Sequence, residues 1–180
     1  EVAIDTSSYM VGMRAALDQD ADVVVVGELA GPAMIEMAFR AVEQGRLVIA
    51  KTQATDVTTT IKRLIANFPA DEQDKIRLHL ADTLRTVIAQ RLLPRADGNG
   101  RVLIAELLLM HPGVRDVLRD PGGLHEMRTM LAEGRAQFGT QTFDQHLADL
   151  VIAGRVAFDV AVILATNSLD FELQLRGLRR

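Results

Sequence analysis

A single carboxylate, Glu28, ends the run Asp22-Val23-Val24-Val25-Val26-Gly27. Four β-branched residues without polar alternation predict a strand covered on both faces, as in a parallel α/β sheet. Open α/β sheets bind ligands at the edge where such strands end. Two roles are open to an acid there. It can hold Mg²⁺ or orient an attacking water in a nucleotide-hydrolysing site, or it can cap the exit of a buried strand. A second polar segment, Lys51-Thr52-Gln53-Ala54-Thr55, is expected at the same edge.

Other chemistry-bearing residues form weaker patterns. His79, His111, His125 and His146 are scattered and build neither H-x-x-x-H nor H-E-x-x-H, so each reads as a solvated or packing side chain. There is no G-x-S-x-G elbow. Glu106 interrupts an apolar strand; it is either a buried ion-pair partner or an outward-facing residue, and the outward placement is expected. Arg115 and Arg119 lie four apart beside Asp116 and Asp120 and read as a charged helix face. The seven methionines are spread through helices as core filler.

Composition narrows the classes. At 180 residues, 48% hydrophobic and 24% charged, the chain is long enough to bury a core without a disulfide or metal staple. It has no Cys, so no disulfide framework and no cysteine zinc site, which agrees with a reducing compartment. The net charge of −4, with Lys51, Lys62 and Lys75 the only lysines, argues against nucleic-acid binding. The Arg-rich end from Arg176 to Arg180 is short and expected to be solvated. No apolar run approaches the ~18–20 residues that span a bilayer, and the first residues show no signal-peptide pattern.

The elements that must position these groups follow from periodicity and caps. Ser7 or Ser8 caps a first helix that ends near 18–20, and the Val23–Val26 strand follows. Gly31-Pro32 opens a second helix, with Ile35, Ala38, Phe39 and Val42 on one face and Gly45 at its end. Leu47 to Ala50 reads as the next strand, making a βαβ unit with parallel strands. Asp56 or Thr55 caps a helix bearing Val57, Ile61, Leu64, Ile65 and Phe68, which Pro69 breaks. Another helix from about Ala70 places Ile76, Leu80, Leu84 and Val87 one turn apart. The segment 87–94, the turn Asp97-Gly98-Asn99-Gly100 and the segment 101–110 predict a hairpin that makes the sheet's edge antiparallel. Beyond His111-Pro112-Gly113 the chain reads as helical: 114–120, 124–136, 143–153, about 158–165, and a last helix from Ser168. Thr142 with Gln145 forms a capping box. The fold class is therefore α/β followed by a helical bundle packed beside the sheet.

No phosphate-cradling loop is present. The sequence contains no Gly-Lys pair, hence no G-x-x-x-x-G-K-[S/T], and no G-x-G-x-x-G. It looks like the later half of a nucleotide-binding α/β domain.

Six segments carry a family resemblance. Asp22 to Leu29 resembles the Walker B segment D-V-I-L-V-G-E-M of the type II/type IV secretion ATPases, closest to the PilT-like pilus-retraction branch. Gly45 to Val48 resembles its T-G-H-L-V, and 60–69 its T-I-D-R-I-I-D-V-F-P. Ile88 to Arg95 with Gly100-Arg101-Val102 resembles its hairpin region. Gly113 to Asp120 resembles the retraction motif A-I-R-N-L-I-R-E. Gln141 to Leu150 resembles M-Q-T-F-D-Q-x-L-x-x-L.

The resemblance implies the C-terminal part of a RecA-like P-loop NTPase core at 1–110, and a C-terminal helical subdomain at 111–180. It implies a cytoplasmic homo-hexameric, Mg²⁺-dependent ATPase, peripheral at the inner membrane on a pilus platform protein, that powers pilus retraction, twitching motility or related secretion. Glu28 would be the catalytic carboxylate, coordinating Mg²⁺ through water or polarising the nucleophile, and Gly27 would lie against ATP. Gln53 would sense the γ-phosphate. Arg115 and Arg119 would couple movement to partners. The 180 residues alone, lacking the P-loop, are expected to be inactive and to bind nucleotide weakly at most. Two departures stand out. The family's G-E-M-R-D reads Gly27-Glu28-Leu29-Ala30-Gly31, and Gln53 replaces the histidine of T-L-H-T. They admit an alternative: a non-hydrolysing ring paralogue acting as an interaction or regulatory module.

Overall fold

The computed structural model describes residues 3–178; Glu1, Val2, Arg179 and Arg180, the last two belonging to the Arg-rich end, lie outside them. Helix α1 (Tyr9–Asp18) starts at Ser8, whose Oγ accepts the Val11 N–H at 3.2 Å. Strand β1 (Val23–Val26) follows, then α2 (Pro32–Glu43) with Pro32 at its first position. Gly45, at φ +86°, reverses the chain into β2 (Leu47–Ala50). The strands pair in parallel from Val23↔Leu47 to Val26↔Ala50, completing the expected βαβ unit.

The expected burial of β1 on both faces is corrected. Val24 and Val26 pack with Met13 of α1 and Met34, Ala38 and Ala41 of α2. On the other face Val23, Val25, Leu47 and Ile49 are 51–73% exposed. Both helices cover the same side of the sheet, which a uniform run of valines cannot reveal.

Asp56 caps α3 (Val57–Ala66), and α4 (Gln73–Thr83) ends before Leu84, which is already extended. Strands β3 (Thr86–Pro94) and β4 (Arg101–Leu109) form the predicted antiparallel hairpin, registered from Thr86↔Leu109 to Pro94↔Arg101. It is not an edge of the β1–β2 sheet: among the described residues the two pairs are separate two-stranded sheets.

The hairpin's inner face holds Val87, Ala89, Leu93, Val102, Ile104 and Leu108, and also Glu106, which is 8% exposed. The outward placement expected for Glu106 is corrected, because period-two alternation along β4 puts residue 106 on the same face as 102, 104 and 108. The carboxylate is held there by two backbone donors. Oε1 accepts the Val57 N–H at 2.9 Å and Oε2 the Phe143 N–H at 3.5 Å.

The remaining chain is helical: α5 (Pro112–Arg119), α6 (Met127–Glu133), α7 (Arg135–Phe138), α8 (Phe143–Ile152), α9 (Phe158–Leu164) and α10 (Ser168–Leu178). The single helix expected over 124–136 is a 3₁₀ turn (Gly123–His125) followed by α6 and α7, which part at Gly134. The capping box of α8 is formed, with Gln145 N–H on Thr142 Oγ1 at 3.2 Å and Thr142 N–H on Gln145 Oε1 at 3.0 Å. One apolar core runs from Ile35 and Ile61 through Leu108, Leu118, Met127 and Leu147 to Phe171 and Leu175. Among the described residues no helix is long and apolar enough to cross a membrane.

Two stability predictions follow from this packing. A Cβ on Gly123 would lie 2.2 Å from the Val117 carbonyl oxygen, whereas one on Gly122 would meet nothing nearer than 3.6 Å. Gly123→Ala should therefore cost about 3 kcal/mol in urea unfolding, with Gly122→Ala as a near-neutral control. The second concerns pH. Burial pushes the Glu106 carboxyl above the usual carboxylate range, and the Val57 and Phe143 N–H groups offset this only in part. The folded state then keeps its proton at a pH where the unfolded chain has lost it. Stability should fall as pH rises from the ordinary glutamate value to the raised one, and level off above it. The difference in unfolding free energy between wild type and Glu106→Gln, measured across pH 4–8, should carry that slope.

Candidate functional site

Parallel pairing brings the exits of β1 and β2 to one edge, as Val26 stands opposite Ala50. There the ladder departs from regularity. Lys51 N–H donates to the Val26 carbonyl at 3.1 Å, and the Lys51 carbonyl accepts from Leu29 N–H at 2.7 Å. A regular parallel ladder bonds one residue to partners two apart; here they are three apart. Gly27 and Glu28 together occupy the interval that one residue would fill, a bulge at the strand exit. Sequence reasoning missed this feature, since pairing is not visible in β1 alone.

Glu28 is half-buried, and among the described residues its carboxylate has no hydrogen-bond or ion-pair partner. It caps nothing. Gly27 is exposed and lies against the Tyr9 ring, where a Cβ would meet the nearest atom at 3.7 Å, an ordinary contact. Gln53 is exposed on the 51–56 loop, its side-chain amide likewise without a partner among the described residues. The structure thus places Glu28 and Gln53 at the same sheet edge.

The backbone of the Gln53 loop is held firmly. Arg63 of α3 donates to the Gln53 carbonyl. Arg91 of β3 donates to the Thr55 carbonyl at 3.1 Å. Asp56 accepts the Thr59 N–H at 2.7 Å and the Thr55 and Thr59 hydroxyls, each at 2.8 Å. Burial draws the Asp56 carboxyl upward, but these bonds and the Arg91 charge outweigh it and leave it below its usual value. Val57 N–H, the next donor along, reaches Glu106. Arg63, Arg91 and Glu106 were not among the sequence candidates. The signal for Arg91 and Glu106 was their inward phase in the hairpin, Glu106 opposite Ala89 and Arg91 opposite Ile104.

Arg115 and Arg119 lie elsewhere. Arg115 donates to the Ala81 carbonyl and Arg119 to Asp82 at 2.8 Å, so both cations sit at the C-terminal turn of α4, where the helix dipole favours them. They form a seam between α4 and α5 and not a free charged face.

The histidines do not join the edge. His79 meets Phe39 edge-on at 5.2 Å, and His111 is buried and stacked 3.8 Å from Phe138. That burial lowers the His111 pKa. His146 Nδ1 accepts the Ala105 N–H at 3.0 Å, and His125 is exposed. Among the described residues no group of three His, Cys, Asp or Glu side chains could hold a metal ion unaided. The edge offers one free carboxylate, a donor set that fits Mg²⁺ bound mainly by phosphate and water oxygens.

Known proteins resemble this chain in sequence and in fold. Residues 5–158 match the family described as type II/IV secretion system protein. A twitching motility protein of Neisseria gonorrhoeae is 38% identical over 163 residues, 91% of this chain and 43% of that protein. The type IV pilus ATPase PilU of Pseudomonas aeruginosa is 32% identical over 98% of this chain and 46% of its own length. The crystal structure of the pilus retraction motor PilT with bound ADP superposes with a TM-score of 0.83 at 34% identity, covering 96% of this chain and 48% of PilT. The chain spans just under half the length of these relatives. Its match over most of its residues, in sequence and in fold, makes it a member of the type II/IV secretion system protein family.

Proposed function

We propose that this chain is the C-terminal half of a hexameric motor ATPase that powers type IV pilus retraction or related secretion. The observation that carries the reading is the unpartnered Glu28 carboxylate on a bulge at the C-terminal edge of parallel strands, in a chain that superposes on an ADP-bound retraction motor. The division into a RecA-like part at 1–110 and a helical subdomain at 111–180 belongs to this reading. So does a RecA-like sheet continuing past β1 and β2, which would cover the bare face of Val23, Val25, Leu47 and Ile49.

In this reading Glu28 orients the attacking water or holds a water of the Mg²⁺ shell, and Gly27 gives the nucleotide room to approach. The ion supplies charge neutralisation on the phosphates. Gln53 donates one hydrogen bond and accepts another at the γ-phosphate, without charge. The phosphate-cradling loop comes from sequence outside these residues, so the 180-residue chain alone is inactive and binds nucleotide weakly. Arg115 and Arg119 hold α5 to α4, and through that seam pass movement on to partners. The full-length motor works in the cytoplasm against an inner-membrane platform protein.

A second reading is favoured by Ala30, Gly31 and Gln53: a ring paralogue that keeps the fold and has lost hydrolysis. Titrating full-length protein with a non-hydrolysable ATP analogue separates the two, tight binding supporting the motor. In the motor, Glu28→Gln should lower Mg²⁺-ATP turnover by about two to three orders of magnitude with little change in stability. Unchanged turnover in a steady-state ATPase assay would remove Glu28 from the mechanism.

A further inference from the structure

We propose that Arg91 and Glu106 are positioning residues that couple the Gln53 loop to helix α8. The inference rests on the nucleotide-site reading above for what the coupling transmits, and on geometry alone for the linkage itself.

Both residues lie on the inward face of the β3–β4 hairpin, and both reach the same two places. At the loop, Arg91 donates to the Thr55 carbonyl at 3.1 Å and Glu106 Oε1 accepts the Val57 N–H at 2.9 Å. At α8, the Arg91 guanidinium lies 4.0 Å from the centre of the Phe143 ring, while Glu106 Oε2 accepts the Phe143 N–H at 3.5 Å. Val57 and Phe143 are the first residues of α3 and α8. N–H groups in a helix's first turn have no intrahelical acceptor, so both donors depend on Glu106. A carboxylate shared by two helix N-termini cannot follow one without loading the other. The guanidinium imposes the same constraint through the Thr55 carbonyl and the Phe143 ring.

The continuation from Phe143 makes this more than a local clamp. Asp144, next in α8, accepts the Arg128 guanidinium of α6 at 2.9 Å and the Thr166 N–H before α10 at 2.9 Å. Movement of the first turn of α8 therefore reaches α6 and the segment leading into α10. Residues 51–56 carry Gln53 at the other end, held by Arg63 and Arg91. The hairpin thus spans a loop at the sheet edge and the N-terminus of a helix that organises the C-terminal region. Its two charged inward side chains are the physical connection.

The test uses full-length protein, wild type, Arg91→Gln and Glu106→Gln. Arg91 is exposed and glutamine matches Glu106 in size, so both variants should fold. In the first arm, without nucleotide, amide hydrogen exchange is read by mass spectrometry on peptides 52–60 and 141–148. Each variant should speed exchange in both peptides by at least about threefold; a change confined to 52–60 overturns the linkage. In the second arm ADP is added. Wild type should gain protection in both peptides, and Glu106→Gln should gain it at 52–60 only. An undiminished response at 141–148 in that variant overturns the coupling. Absence of any ADP-dependent protection in wild type overturns the nucleotide-site reading and the transmitting role with it, while the first arm still decides the linkage. Kinetically, Arg91→Gln should lower kcat about tenfold with KM within about twofold; a rise in KM alone overturns the positioning role.

Discussion

An ionised carboxylate inside an apolar hairpin face costs several kcal/mol of desolvation unless its oxygens are met by donors. The first N–H groups of a helix, buried without acceptors, carry a cost of the same kind. Glu106 lets each need answer the other in part, since its two oxygens take the first N–H of α3 and the first N–H of α8 while burial still holds its pKa above the ordinary value. Both helices also present the positive ends of their dipoles to it. The contact ties the first residue of α3 to the first residue of α8. The loop carrying Gln53 ends at the Asp56 cap just before α3, and the capping box of Thr142 and Gln145 opens α8, so Glu106 joins two helix starts that are each capped locally.

The sheet edge is organised by a different device. Backbone bonds from Lys51 to Val26 and Leu29 bracket Gly27 and Glu28, and the bulge between them carries the acid past the last paired residue. The arrangement needs nothing from the Glu28 side chain. The sequence allowed two roles for this residue, strand cap or ligand-facing acid. A cap would bond to neighbouring N–H groups, and among the described residues this carboxylate bonds to none. Scaffold and candidate site are thereby separated: Glu106 and Arg91 are engaged by the 51–56 loop, α3 and α8, while Glu28 and Gln53 leave their polar groups open.

Local signals were legible wherever a side chain acts on its own backbone. Ser8, Asp56 and Thr142 each mark a helix start by accepting the N–H three residues on, and Asp97-Gly98 with Asn99-Gly100 marks the hairpin turn. Signals that depend on distant partners were not. Val23 and Val25 have the same chemistry as Val24 and Val26, and only the position of α1 and α2 decides which pair is covered. The bulge at Gly27-Glu28 exists only against β2. Arg115 and Arg119 had the spacing of a solvated helix face, and the end of α4 claimed them. Glu106 lay between these cases. Its phase in β4 was readable, but a charge in an apolar strand argues for the outside until its donors are known.

The same separation bears on Ala30, Gly31 and Gln53, where the chain departs from the segments it resembles. Replacing a histidine by Gln53 removes a side chain that can carry charge, yet the loop is held through the carbonyls of Gln53 and Thr55 and through Asp56, not through the residue-53 side chain. Ala30 and Gly31 likewise precede α2, whose start is fixed by Pro32 and the Gly31 backbone at φ +77°. A change at Ala30 or in the residue-53 side chain leaves these supports in place, whereas a side chain at residue 31 would be strained at that φ. In the proposed nucleotide site a neutral amide would still offer one donor and one acceptor, so the loss there would be of charge and not of geometry. On the proposed reading, the fold and the loop-to-helix contacts would be the same in a motor and in a subunit that has lost hydrolysis, and the two would differ in the charge presented at the sheet edge.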